Sequence, residues 1–224
     1  MLAVSGNTPV PGHIDGISRH VGFGVTAAVL SRIVAILSGL VLIPTLFRGL
    51  SAEEVGLWFL LGQPNLFAGL LDLGFGFALT RRIAFARAVT NGANSESIQD
   101  LVATGQRLYA LIAIAVFLLL WVGGFLFLRV LEIHAMGQSM LLVTWTLMCL
   151  THAATTRATL WNSVLTGHGY VGWDAAATAA GMVAATAAQI AAIYAGGKLL
   201  PVAALSLVAP LVTRGVAVAI LRRK

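Results

Sequence analysis

Three arginines stand inside long apolar runs: Arg32, Arg157 and Arg214. A guanidinium in hydrocarbon costs from about 2.5 kcal/mol upward, so each needs a reason to be there. One reason is a cationic cavity, where Arg forks to the oxygens of an anionic ligand such as a phosphate. The other is snorkelling, with the stem in the apolar layer and the head at the interface. Arg214 precedes the basic end Arg222–Arg223–Lys224, and Arg157 lies near the end of its run, so both readings stand. Asp72, in another apolar run, is either a proton or cation site or the structural partner of an arginine.

The residues around Arg157 form a sharper pattern. At 100° per residue, His152, Thr155, Thr156, Thr159, Asn162, Ser163 and Thr166 share one helix face. Thr144 and Thr151 edge that face, and Arg157 projects almost oppositely. A polar stripe of this length either lines a cavity or bonds helices together. Thr178, Thr186 and Gln189 repeat the pattern more faintly further on. Gln63–Pro64–Asn65 sits in the middle of an earlier apolar run. Proline removes a helix donor and favours a kink, which beside two amides serves either substrate contact or packing. The candidate binding set is Arg32, Gln63, Asn65, Asp72, His152, Thr155, Arg157, Thr159, Asn162 and Arg214.

Catalytic patterns are missing from the sequence. There is no Ser/His/Asp set and no pair of carboxylates at working distance. His152 has no second His or carboxylate three or four residues on, the spacing a helical metal site needs. Gly74–Phe75–Gly76 follows no strand, so it is not a phosphate loop. Cys149 is the only cysteine, which rules out an intramolecular disulfide and a cysteine-based metal cluster. The expectation is a non-enzyme with no cofactor and no metal.

The elements that position these residues follow from composition. The chain has 224 residues, 58% hydrophobic and only 10% charged, with a mean hydropathy of +0.91. A soluble domain carries about 25% charged residues. The pattern predicts an all-α, polytopic membrane bundle of about six transmembrane helices, at residues 25–47, 55–79, 108–128, 139–166, 175–195 and 199–221. Residues 1–20 read as a flexible cytoplasmic tail without the features of a cleavable signal. Residues 80–106 read as a cytoplasmic amphipathic segment, with Ser97–Asp100 spaced as a helix-starting capping box. Residues 222–224 form a basic end. With the N-terminus inside, Arg19, Arg81, Arg82, Arg87, Arg107, Arg222, Arg223 and Lys224 fall in the cytoplasm, against Arg48, Arg129 and Lys198 outside. That asymmetry predicts an N-in, C-in topology. The net charge of +6 belongs to this loop bias and not to nucleic-acid binding, since no basic groove or stacking platform accompanies it.

Two motifs point to a family. Glu53, Glu54, Gly56, Leu57 and Trp58 close the first loop, and Asp72, Leu73, Gly74, Gly76, Ala78 and Arg81 end the second run. Together they resemble the N-terminal region of bacterial polysaccharide-biosynthesis and O-antigen flippases, of the multidrug/oligosaccharidyl-lipid/polysaccharide exporter superfamily. The similarity spans roughly Val25–Leu221, with compatible hydrophobicity outside the two motifs. It implies an inner-membrane flippase lobe that moves an anionic, undecaprenyl-pyrophosphate-linked glycan by alternating access, with Arg32 receiving the pyrophosphate. Members of the family have twelve or more spans in two lobes, parallel repeats about the membrane normal. Six spans therefore imply a second copy, a complementary six-span half, or a truncated inactive half-transporter. A non-transporting scaffold or assembly subunit is the alternative.

Overall fold

The computed structural model describes residues 11–63, 74–88, 98–130 and 137–223. The regular structure among the described residues is helical. It comprises α1 (Pro11–Gly49), α2 (Ala52–Gly62), α3 (Phe75–Ala88), α4 (Ile98–Val130), α5 (Gln138–Gly167), α6 (Val171–Tyr194), α7 (Leu199–Leu205) and α8 (Val208–Arg223). The all-α expectation holds for these residues.

Among the described residues four stretches are long and apolar enough to cross a bilayer: Gly22–Gly49, Ile98–Leu128, Val171–Tyr194 and Leu199–Arg223. Their apolar side chains are largely uncovered by protein. Ile36 is 69% exposed and Leu40 66%. An uncovered apolar face of this extent fits lipid, not water. The chain thus has the build of a multi-pass membrane protein. Two expected crossings are not among these four: the one at residues 139–166, and the one at residues 55–79, whose middle (64–73) lies outside the described residues. α5 has 30 residues, about 45 Å of helix. It has the length to cross, but its threonines, His152 and Asn162 dilute its apolar character.

Local chemistry sets the helix ends. Ser51 Oγ accepts from the Glu54 amide at 3.2 Å, and Glu54 Oε2 accepts from the Ser51 amide at 2.9 Å. This capping box starts α2, and an N-cap serine of this kind contributes about 1 kcal/mol. The acid turn of the sequence motif is therefore also a helix start. α5 ends at Gly169, with φ of 80°, where the Tyr170 amide reaches back to the Leu165 carbonyl. α6 ends the same way at Gly196, and only glycine adopts that backbone without strain. Two bounds differ from expectation. α1 begins at Pro11, so residues 11–20 are helical, and α3 runs through Ala88 without a break at residue 80.

α5 is the centre of the bundle. It touches α2, α3, α4, α6, α7 and α8, while α1 packs mainly along α6. At one end Leu46, Val55, Leu61, Leu128, Trp145 and Val202 form a core; at the other, Ile83, Leu101, Tyr109, Leu160 and Val164 form a second. The α4–α5 contact is keyed by a glycine. Any Cβ at Gly124 would run into the Trp145 indole. Trp145 Nε1 donates to the Trp121 carbonyl at 3.4 Å, and Trp121 Nε1 donates to Thr146 Oγ1 at 3.1 Å.

Candidate functional site

The polar stripe of α5 runs from buried His152, Thr156 and Ser163 to exposed Thr155. Thr151 Oγ1 donates to the Leu147 carbonyl at 2.9 Å, Thr155 Oγ1 to Thr151 at 2.9 Å, and Thr159 Oγ1 to Thr155 at 3.2 Å. Each hydroxyl proton is committed to its own helix, which leaves oxygen lone pairs facing outward. Thr151, His152, Thr155, Thr159 and Asn162 line one wall of a cavity of about 400 Å³. That volume lies in the ~300–1,000 Å³ range of small-ligand sites.

The opposite wall comes from α6 and from the α7–α8 junction. Thr178, Thr186 and Gln189 line it on α6, and Ser206 and Thr213 line it further on. Trp58 and Gly62 of α2 contribute a third side. Gly181 lets α8 approach α6 closely, because a Cβ there would meet Thr213 and the Ala209 carbonyl. Thr213 Oγ1 then donates to the Ala177 carbonyl at 3.4 Å.

The run expected as one helix over residues 199–221 is broken at Ser206–Leu207. Pro210 lacks the N–H that would close the turn onto Ser206, and its ring crowds that carbonyl. The Ser206 and Leu207 amides shift to the Ala203 and Ala204 carbonyls, both at 3.2 Å. This tightening frees the Val202 carbonyl, which accepts from Gln189 Nε2 at 3.2 Å and from Ser206 Oγ at 3.4 Å. Non-helical backbone at membrane depth is tolerated where protein or a wet cavity satisfies it.

Two atoms of lining residues have no hydrogen-bond partner in the protein although they are buried: His152 Nε2 and Asn162 Oδ1. His152 as a whole is 5% exposed. A buried polar atom left unbonded costs about 1–3 kcal/mol, and both atoms are closed off from the open cavity, so they load the packing of α5 and do not contact an occupant. Among the described residues no charged side chain lines the cavity. Its chemistry is that of neutral acceptors and amides.

The candidate residues therefore separate. His152, Thr155, Thr159 and Asn162 share the cavity. Arg157 and Arg214 do not line it; they meet in a different cleft, between α4, α5 and α8. Gln63 lines a smaller apolar recess with Leu119, Gly124 and Trp145. Arg32 is exposed on α1 and lines neither the polar cavity nor the arginine cleft. Asn65 and Asp72, with Pro64, lie outside the described residues. The stripe itself divides. Thr156 and Ser163 are buried and bond back to their own helix, and the Ser163 carbonyl accepts from Thr80 Oγ1 at 3.2 Å. One face thus both lines a cavity and packs helices.

Sequence reading missed Trp58, Gly62, Ser206 and Thr213 as lining residues. Ser206 and Thr213 are seven residues apart, one helix face in an apolar run, and that spacing was the available signal. Among the described residues no three His, Cys, Asp or Glu side chains come together as a metal site would require. No family model, no curated protein and no solved structure matches this chain, so its functional reading rests on its own residues.

Proposed function

We propose that this chain is one lobe of a membrane exporter for a lipid-linked oligosaccharide, with the sugar held in the polar cavity. The observation that carries this reading is the uncharged, acceptor-rich lining inside a bundle of apolar helices. Carbohydrate hydroxyls are donors. The lone pairs of Thr151, Thr155 and Thr159 offer matching acceptors without the desolvation cost of a buried charge. The broken α7–α8 helix beside the cavity is the device with which transporters bring backbone groups to a midplane site. In this reading α2 and α3 belong to one crossing and α5 makes another, for six crossings with both termini in the cytoplasm of an inner membrane. Arg32, on the open face of α1, meets the pyrophosphate at the border with a second copy or a complementary six-span half.

The test is binding by the purified full chain in lipid nanodiscs, read as a shift in Tm. An undecaprenyl-pyrophosphate-linked oligosaccharide raises Tm more than undecaprenyl pyrophosphate alone. Asn162→Leu and the cavity-filling Thr155→Trp remove that difference. Equal shifts from the sugar-free carrier, or an undiminished difference in Thr155→Trp, overturn the reading.

A further inference from the structure

We propose that the cleft between α4, α5 and α8 is a binding site for the phosphate of an anionic phospholipid, separate from the polar cavity. The cleft holds about 440 Å³. Arg157 enters it from α5 and Arg214 from α8, and among the described residues no acidic side chain lines it. Both arginines are exposed along one apolar-walled cleft, and two like charges that share a cleft disfavour each other. An anion between them reverses that repulsion, and a phosphate presents the oxygens that arginine forks onto.

Snorkelling accounts for one arginine reaching an interface by itself. It does not account for two helices delivering their arginines to the same cleft. Nor does it account for the floor, where Ala113 and Ala153 clear a path beside Phe117 and Leu211. Small side chains under two cations fit an acyl chain below a phosphate. The same lining argues against a glycan, because among the described residues no hydroxyl or amide side chain lines the cleft. The site is therefore independent of the transport reading. Its position still matters for the cavity, since Pro210 lines both and Arg157 shares α5 with His152 and Thr155.

Native mass spectrometry of the purified chain with phosphatidylglycerol or phosphatidylcholine tests the proposal. Wild type retains phosphatidylglycerol in preference to phosphatidylcholine. Arg157→Gln and Arg214→Gln each weaken retention about fivefold, the effect of roughly one basic residue at an anionic surface. The double variant loses the preference, and Arg222→Gln/Arg223→Gln keeps it. Ala154→Leu fills the floor with both arginines intact and lowers retention too, so the test does not hinge on the folding of the charge variants. Three results overturn the proposal: a preference that survives the double variant, equal loss in Arg222→Gln/Arg223→Gln, or displacement of the phospholipid by a lipid-linked glycan at one-to-one stoichiometry.

Discussion

Gln189 Nε2 donates to the Val202 carbonyl at 3.2 Å, across the gap between α6 and α7. The same nitrogen donates to Ser206 Oγ at 3.0 Å. One buried amide thus ties the carbonyl freed by the helix break to the neighbouring helix, at the edge of the polar cavity. Gln189→Leu removes both bonds and leaves Val202 with only the longer contact from Ser206. The expected cost is about 1–3 kcal/mol, the penalty for stranding a buried polar group. Thermal unfolding in detergent measures it, and a stability equal to wild type removes Gln189 from this role.

Gly124 and Trp145 form a second pair that a double-mutant cycle isolates. The atoms a Gly124 Cβ would meet are Cζ2, Cε2 and Nε1, those of the indole that a phenyl ring lacks or repositions. Gly124→Ala alone is expected to cost about 1–3 kcal/mol through overpacking. In a Trp145→Phe background the same change costs less. The two effects are non-additive by about 0.5 kcal/mol or more, the range for residues in contact. Strict additivity in urea or thermal unfolding removes this close contact.

Thr155 and Thr159 separate stability from binding. Their hydroxyl protons bond the carbonyls one turn back on α5, and a helix keeps its own backbone bonds without them. Thr155→Val and Thr159→Val should each change stability by no more than about 0.5 kcal/mol. Each should weaken glycan binding in nanodiscs about fivefold, the effect of one neutral hydrogen bond of about 1 kcal/mol. A large stability loss with unchanged binding places these hydroxyls in helix packing instead.

Much of the cavity was legible residue by residue. The 3.6-residue period grouped His152, Thr155, Thr159 and Asn162 before any neighbour was known, and grouped Thr178, Thr186 and Gln189 likewise. The prolines near residue 205 were visible too, but not their different effects. Pro201 sits in the first turn of α7, where an N–H has no helical partner to lose, and is accommodated. Pro210 falls where the turn would close onto Ser206, and the helix breaks there. The sequence set Arg157 and Arg214 near the ends of their apolar runs and favoured Arg32 for a cavity, but it did not say which arginines share a cleft. Each lay in an apolar run, and such a run does not say which other helix its polar residue faces.

The sequence by itself determined the solvent and the faces. Charged residues at 10% and long apolar runs require lipid around the helices, and helical periodicity states which side chains point the same way. Only the tertiary structure decided where each face points. The rotation of a helix about its axis is settled by close approaches such as Gly181 against Thr213 and Gly124 against Trp145, which involve residues far apart in the chain. Those contacts turned one side of α5 toward α6 and the broken α7–α8 helix. They set Arg157 and Arg214 along one cleft, and they left Arg32 exposed on α1.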